Sequence, residues 1–168
     1  SSDLEPGDLI VAWERLGYPR RARRLWESAV LVHESGWPDD LRVLPGVGRY
    51  TAHAIAAQVD DADCVGIDTN IRRVLQRVSG RLLRDPEAED IARTLATPLR
   101  GRDRLLALMD LGATVCTPRT PDCAQCPLHP ACATQGPMSG EQPRRQAPYA
   151  GSMRERRGRV LAVLRESG

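Results

Sequence analysis

The sequence predicts an all-α protein. Apolar residues recur at helical spacing in segment after segment, no stretch alternates apolar and polar as a strand would, and glycine, proline and capping residues stand where helices should begin and end. Residues 8–16 and 20–34 form the first two such segments, separated by Gly17-Tyr18-Pro19. Pro19 suits a first helical position, where its missing N–H costs nothing. Gly36-Trp37-Pro38 closes the second helix, and a short helical stretch, 39–44, leads into Pro45-Gly46-Val47-Gly48. An Ala-rich helix over 49–59 follows, then a polar loop at 60–63. Asp68-Thr69-Asn70 is a natural N-cap cluster for the amphipathic run IRRVLQRV. Helices are expected over 87–96 and 102–115, the second ending at a group of cysteines. Residues 134–151, rich in Pro, Gly and Gln, read as a linker to a basic amphipathic helix over 152–166. The expected organisation is therefore a helical domain (1–115), a cysteine loop (116–133), and a linker with a C-terminal basic helix (134–168).

Composition limits the chemistry. The chain has 168 residues, 41% of them hydrophobic and 27% charged, with a formal net charge of +2. That fits one folded domain with a tail, and by itself points to no nucleic-acid partner. Phe is absent, so Leu, Val, Ile and Ala must build the core. All 24 basic residues are Arg. A mechanism needing a lysine amine, such as a Schiff-base lyase or a Walker-type phosphate lysine, is excluded. No apolar run is long enough to span a membrane and no signal peptide opens the chain, so a cytoplasmic location is expected.

Two segments carry chemical information. In Leu44-Pro45-Gly46-Val47-Gly48-Arg49-Tyr50-Thr51, two glycines two apart join two helices. They permit a tight turn and close backbone approach, and the free N–H groups of the next helix then face outward as an anion site suited to a DNA phosphate. The same residues would also serve as an ordinary helix–helix connection. The cysteines Cys116, Cys123, Cys126 and Cys132 have the spacing C-x6-C-x2-C-x5-C, with Cys64 apart. An odd count with tight clustering argues for a metal centre in a reducing compartment rather than a disulfide scaffold. Either a [4Fe–4S] cluster or a tetrahedral zinc could use four such thiolates.

Together, LPGVGRYTAHAIA, GIDTNIRRVL and LMDLGATVCTPRTPDCAQCPLHPAC resemble the endonuclease III/MutY superfamily of DNA glycosylases, in order and separation, from about residue 8 to residue 133. RLGYPRRARRL is similar to the MutY branch. The resemblance implies a helix–hairpin–helix fold with a [4Fe–4S] loop held by Cys116, Cys123, Cys126 and Cys132. It implies that Asp68 is the catalytic aspartate, with Asn70 bonding around the reaction centre. On the residues alone, Asp68 and Asn70 would pass as helix caps. Tyr50 stands where strand-cutting members carry a lysine, which implies a monofunctional enzyme that leaves the abasic site uncut. Tyr18 matches an aromatic that wedges into the base stack. Gly46, Val47, Gly48, Arg49 and Thr51 match the DNA-binding hairpin. Arg20 and Arg21 are expected at phosphates, with Arg15, Arg23, Arg24, Arg119, Arg144 and Arg145 as further candidates.

The chain also departs from the family pattern. It starts past the segment in which MutY-like enzymes hold the glutamate that protonates adenine, and Glu5 and Glu14 do not match that motif. The family's 8-oxoguanine-recognition domain is not expected here either. The reading that results is a monomeric base-excision-repair glycosylase acting on duplex DNA, removing adenine opposite 8-oxoguanine or guanine. A T(U)·G mismatch glycosylase and a non-catalytic DNA-binding iron–sulfur remnant are the alternatives.

Overall fold

The computed structural model describes residues 6–13, 16, 18–141 and 147–166, and the described residues contain helices and turns but no strand. Two compact units are present: Ser1–Glu34 with Pro143–Gly168, and Ser35–Gln142. Gly17, Arg15, Arg144, Arg145, Glu5 and Glu14 lie outside the described residues.

The first unit holds α1 (Pro6–Ala12), nearly all of α2 (Pro19–Ser35) and, from the far end of the chain, α7 (Met153–Glu166). Pro19 opens α2 as its sequence position predicts. The residue before it, Tyr18, has φ 47°, a left-handed conformation uncommon for a bulky side chain.

The second unit is built around α4 (Thr69–Ser79). It is joined by α3 (Arg49–Val59), α5 (Asp85–Leu95) and α6 (Gly101–Asp110). Ile71, Val74 and Leu75 of α4 meet Ala57 of α3, Ala88 and Ala92 of α5, and Leu105 and Leu108 of α6 in one core, with Val65 and Ile67 from the preceding loop. This is the periodicity IRRVLQRV announces: apolar residues three and four apart turn one stripe inward. The α4 ends are set by chemistry. Asp68 caps the start, and Gly80, at φ 69°, ends the helix in the left-handed conformation glycine favours.

The helix expected over 102–115 divides. Its ladder is α-helical to Asp110, then widens into a π-helical turn, Leu111–Val115, in which the Cys116 N–H donates to the Leu111 carbonyl five residues back at 2.7 Å. The cause is tertiary. A Cβ at Gly112 would lie 2.9 Å from Asn70 Cβ and from the Asn70 carbonyl oxygen, so this turn lies flat against the first turn of α4. Cys64 is half-buried against this core, and its thiol donates to the His53 carbonyl at 3.3 Å.

Candidate functional site

The hairpin forms as a short turn between two helical pieces. A 3-10 turn, Leu41–Val43, runs into Leu44, which is buried, and the Val47 N–H closes back on the Leu44 carbonyl at 3.0 Å. Gly46 takes φ 86°, which requires glycine. Gly48 does not need to be glycine for its backbone: φ −94° and ψ −179° are open to any residue, and a Cβ there would meet nothing within 4 Å. A Ser or Asp would cap α3 better. Gly48 instead leaves the helix start without a side-chain cap, so the first-turn N–H groups face an acceptor from outside.

Arg49 is engaged within the protein. Its Nε and Nη2 donate to Glu89 Oε1 and Oε2 of α5 at 2.8 and 2.7 Å, a two-pronged pair that ties α3 to α5. His53, one turn along α3, brings Nδ1 to 3.3 Å from the same carboxylate. Tyr50 is 40% exposed, and its ring and carbonyl pack on Gly66, where a Cβ would come within 3.1 and 2.9 Å of them. This close approach joins the hairpin to the segment carrying Asp68. Val47 and Thr51 are half-buried beside it.

Asp68 does two things at once. One carboxylate oxygen accepts the Ile71 N–H at 2.7 Å as the α4 cap, and the other receives the Asn70 amide at 3.4 Å. The Asn70 side-chain oxygen, Oδ1, accepts from Arg73 Nη2 at 2.9 Å. Arg73, 7% exposed, also donates to the Gly112 carbonyl at 2.5 Å and, through Nε, to the Cys116 carbonyl at 2.7 Å. A continuous polar chain therefore runs from Asp68 to the first cysteine of the loop. In the sequence, Arg73 and its neighbour one turn on, Arg77, look like polar positions of the amphipathic run IRRVLQRV. Their i, i+4 spacing on the face leading to the cysteine segment is the signal that was available.

The four loop cysteines are free thiols, and all line one cavity whose other walls include Val74, Val78, Val115 and Leu128. Among the described residues, no three His, Cys, Asp or Glu side chains stand as a group that would grip a single metal ion. N–H donors already point at sulfur: Arg77 Nη1 lies 3.4 Å from Cys116 Sγ, and the Gln135 backbone N–H lies 3.4 Å from Cys132 Sγ. Burial pushes the Cys116 thiol up, while Arg77 pulls the other way. Apolar walls, four sulfurs and N–H···S donors fit an inorganic cluster.

In the first unit, Tyr18 is 68% exposed, its carbonyl accepts the Arg21 N–H at 2.7 Å, and the Arg21 guanidinium stands 5.1 Å from its ring centre. Arg20 and Arg24 are exposed and Arg23 pairs with Glu27 one turn on. Arg119, in the cysteine loop, is exposed.

No family model matches the chain. Curated relatives do. It is 44% identical over 175 residues to an adenine DNA glycosylase of Mycobacterium tuberculosis, covering 94% of this chain and 57% of that protein. Against the adenine DNA glycosylase of Mycolicibacterium smegmatis the identity is 42%, covering 96% and 59%, and against the human one it is 38%, covering 84% and 28%. The chain thus spans somewhat over half the length of the bacterial relatives. Among solved structures, a thermostable thymine-DNA glycosylase superposes with a TM-score of 0.69 at 28% identity, covering 79% of this chain and 66% of that one. A trapped endonuclease III–DNA covalent intermediate superposes with a TM-score of 0.65 at 23% identity, covering 80% and 67%.

Proposed function

We propose that this chain is a DNA glycosylase of the endonuclease III/MutY superfamily and that it carries out the base-removal chemistry of an adenine glycosylase in base-excision repair. The observation that carries the proposal is Asp68, held as an N-cap through one oxygen while the other faces Asn70 beside the Tyr50–Gly66 contact. Breaking an N-glycosidic bond builds positive charge on the deoxyribose, and a carboxylate fixed beside the sugar stabilises that oxocarbenium-like state. The cap bond prevents the carboxylate from turning away, and Asn70 orients its second oxygen. Tyr50 supplies a phenol where an imine-forming amine would be needed for strand cutting, so the product is an intact abasic strand.

The hairpin holds the duplex in this reading. The first-turn N–H groups of α3 and the backbone at Gly46, Val47 and Gly48 meet a phosphate, while Thr51 lies one turn inside. Arg49 contributes through its backbone, its guanidinium being committed to Glu89. Contacts to phosphate position the protein without reading sequence. Tyr18 enters the base stack and helps extrude the target nucleotide, with Arg20 and Arg21 at the flanking phosphates. The strained backbone at Tyr18 supports a role beyond packing. Cys116, Cys123, Cys126 and Cys132 would hold a [4Fe–4S] cluster. All four line one cavity with apolar walls and N–H donors at sulfur, which supports the cluster reading. A bound cluster would tie the four cysteines of the loop together, while Arg73 and Arg77 fasten the start of the loop to α4. No residue of this chain is assigned the general-acid role at the leaving base. The enzyme works as a monomer in the cytoplasm. Its five free thiols suit that compartment, and no helix among the described residues is long and apolar enough to cross a membrane.

Single-turnover base release from A·8-oxoguanine, A·G, T·G and U·G duplexes, with hot alkali to reveal abasic sites, tests the proposal. Adenine release that disappears in Asp68→Asn, with no cutting before alkali, is expected. The superposition on a thymine-DNA glycosylase favours one second reading, and release of T or U instead of adenine would establish it. No release by folded, cluster-loaded protein would leave a DNA-binding remnant.

A further inference from the structure

The segment after the last cysteine ends in an unusual contact. Glu141 has a side chain with no exposure at all, and its partner, Arg77, is 2% exposed. Arg77 Nε donates to Glu141 Oε2 at 2.8 Å and Nη2 closes the second prong on Oε1. The remaining donors of the guanidinium reach the start of the cysteine loop: Nη1 to the Thr117 carbonyl at 2.8 Å and to Cys116 Sγ at 3.4 Å, and Nη2 to the Pro118 carbonyl at 2.9 Å. All five N–H positions of the arginine are thereby used. The Arg77 backbone takes the loop's other end, its carbonyl accepting the Thr134 N–H at 3.2 Å with Cys132 Sγ 3.5 Å away. One residue of α4 thus grips both ends of the loop, and Glu141 pairs with its guanidinium from the segment beyond.

We propose that Glu141 is the clasp of the cysteine loop: by pairing with Arg77 it holds the 134–141 segment over the four-thiol cavity and governs how firmly the inorganic cluster is kept. This rests on the cluster reading given above. The electrostatics support a dedicated role. A guanidinium buried among carbonyls and sulfur is costly unless a counter-charge is buried with it. Glu141 supplies that charge from a stretch whose composition reads as linker, and it is the last described residue before the chain passes from the second unit to the first. Without the carboxylate, Arg77 keeps its loop-start contacts but loses its hold on the exit segment.

The test uses the full chain purified anaerobically with its cluster, as wild type, Glu141→Gln, Arg77→Gln and the double variant. Two readouts are taken: iron release to a chelator, followed by loss of the visible absorption, and hydrogen exchange at the Ala133 and Thr134 amides, which bond to the Val78 and Arg77 carbonyls. Glu141→Gln is expected to release iron about tenfold faster or more and to speed exchange at those two amides while α3 and α5 exchange at wild-type rates. In the Arg77→Gln background it should add nothing further. Glu87→Gln, which breaks an exposed pair with Arg81, should release iron like wild type. Wild-type kinetics in Glu141→Gln, uniformly faster exchange throughout the unit, or additive effects in the double variant would overturn the clasp. If Glu141→Gln does not fold, Glu141→Asp, with the charge on a shorter arm, must give an intermediate release rate, and a wild-type rate refutes the idea. Wild-type protein that carries zinc, or no metal, defeats the cluster reading and the clasp with it, a failure seen before any variant is compared.

Discussion

The hairpin at 44–48 and the cysteine loop at 116–132 are both short, Pro-containing connections between helical pieces, and they are finished in opposite ways. At the hairpin, polar groups are left for something outside: α3 starts without a side-chain cap, and Gly48 stands where no protein atom excludes a side chain. At the cysteine loop, carbonyls are gathered inward by two buried arginines, Arg73 and Arg77, and the exit is closed by a buried carboxylate. The difference separates a surface that recognises from a surface that holds shape. Unspent hydrogen-bonding capacity marks the first, and full satisfaction of costly buried charge marks the second. Asp68 belongs to both, since one oxygen is spent on a cap and the other is oriented by a chain that starts at Cys116.

Asp68→Asn gives the sharpest test, because Asn caps helices about as well as Asp. Base release should fall about a thousandfold or more, while the melting temperature stays within a few degrees of wild type. A large loss of stability instead would return Asp68 to the structural side of the comparison. Arg73→Leu should do the reverse in stability, costing about 2–4 kcal/mol in chemical denaturation by stranding the Cys116 and Gly112 carbonyls and freeing Asn70. It should also slow base release, because Asn70 no longer orients Asp68. The two hairpin glycines should separate from each other. Gly46→Ala, at φ 86°, should destabilise by about 1–2 kcal/mol. Gly48→Ala, where the poorer N-cap is partly offset by a less flexible unfolded chain, should cost about 0.5 kcal/mol and less than Gly46→Ala yet weaken duplex binding in a titration at fixed salt. Equal effects of the two on stability would erase the distinction drawn at this turn.

The smallest effect lies just before the hairpin. Arg42, bonded to Asp40 through side chain and backbone, lowers the Asp40 carboxyl from 3.8 to about 2. A folded-state value below the ordinary one means that this contribution is complete above the ordinary carboxylate range and is lost as pH falls through about 2. The pair lies on the surface, so the consequence is read as a titration midpoint near that value by NMR, moving up toward the ordinary value in Arg42→Gln.

Much of the fold was legible in the sequence because it is local. The helix over 49–59 and the cap at Asp68 are written in residues a few positions apart, and the structure places both there. The glycines of the hairpin and the order of the three motifs pointed to the superfamily for the same reason. What could not be read depends on contacts far apart in the chain. Arg73 and Arg77 look like solvated positions of an amphipathic helix until the loop some forty residues on folds over them. Glu141 sits in a stretch whose composition signals a linker, and nothing nearby announces its pairing with Arg77, 64 residues earlier. The pairing of Arg49 with Glu89, forty residues on, is likewise invisible in the hairpin motif to which Arg49 belongs.

The widened turn at Leu111–Val115 has an evolutionary consequence. One extra residue in a helical turn shifts the angular phase of everything after it by about 100°, and here Cys116 follows at once. The stretch can exchange side chains where the fit against Asn70 allows, but it cannot change in length. A single-residue deletion would restore an ordinary ladder and still rotate the first cysteine away from the other three. Drift in this part of the chain is therefore confined to substitution, and an insertion or deletion between residues 111 and 115 is the lesion the site could least absorb.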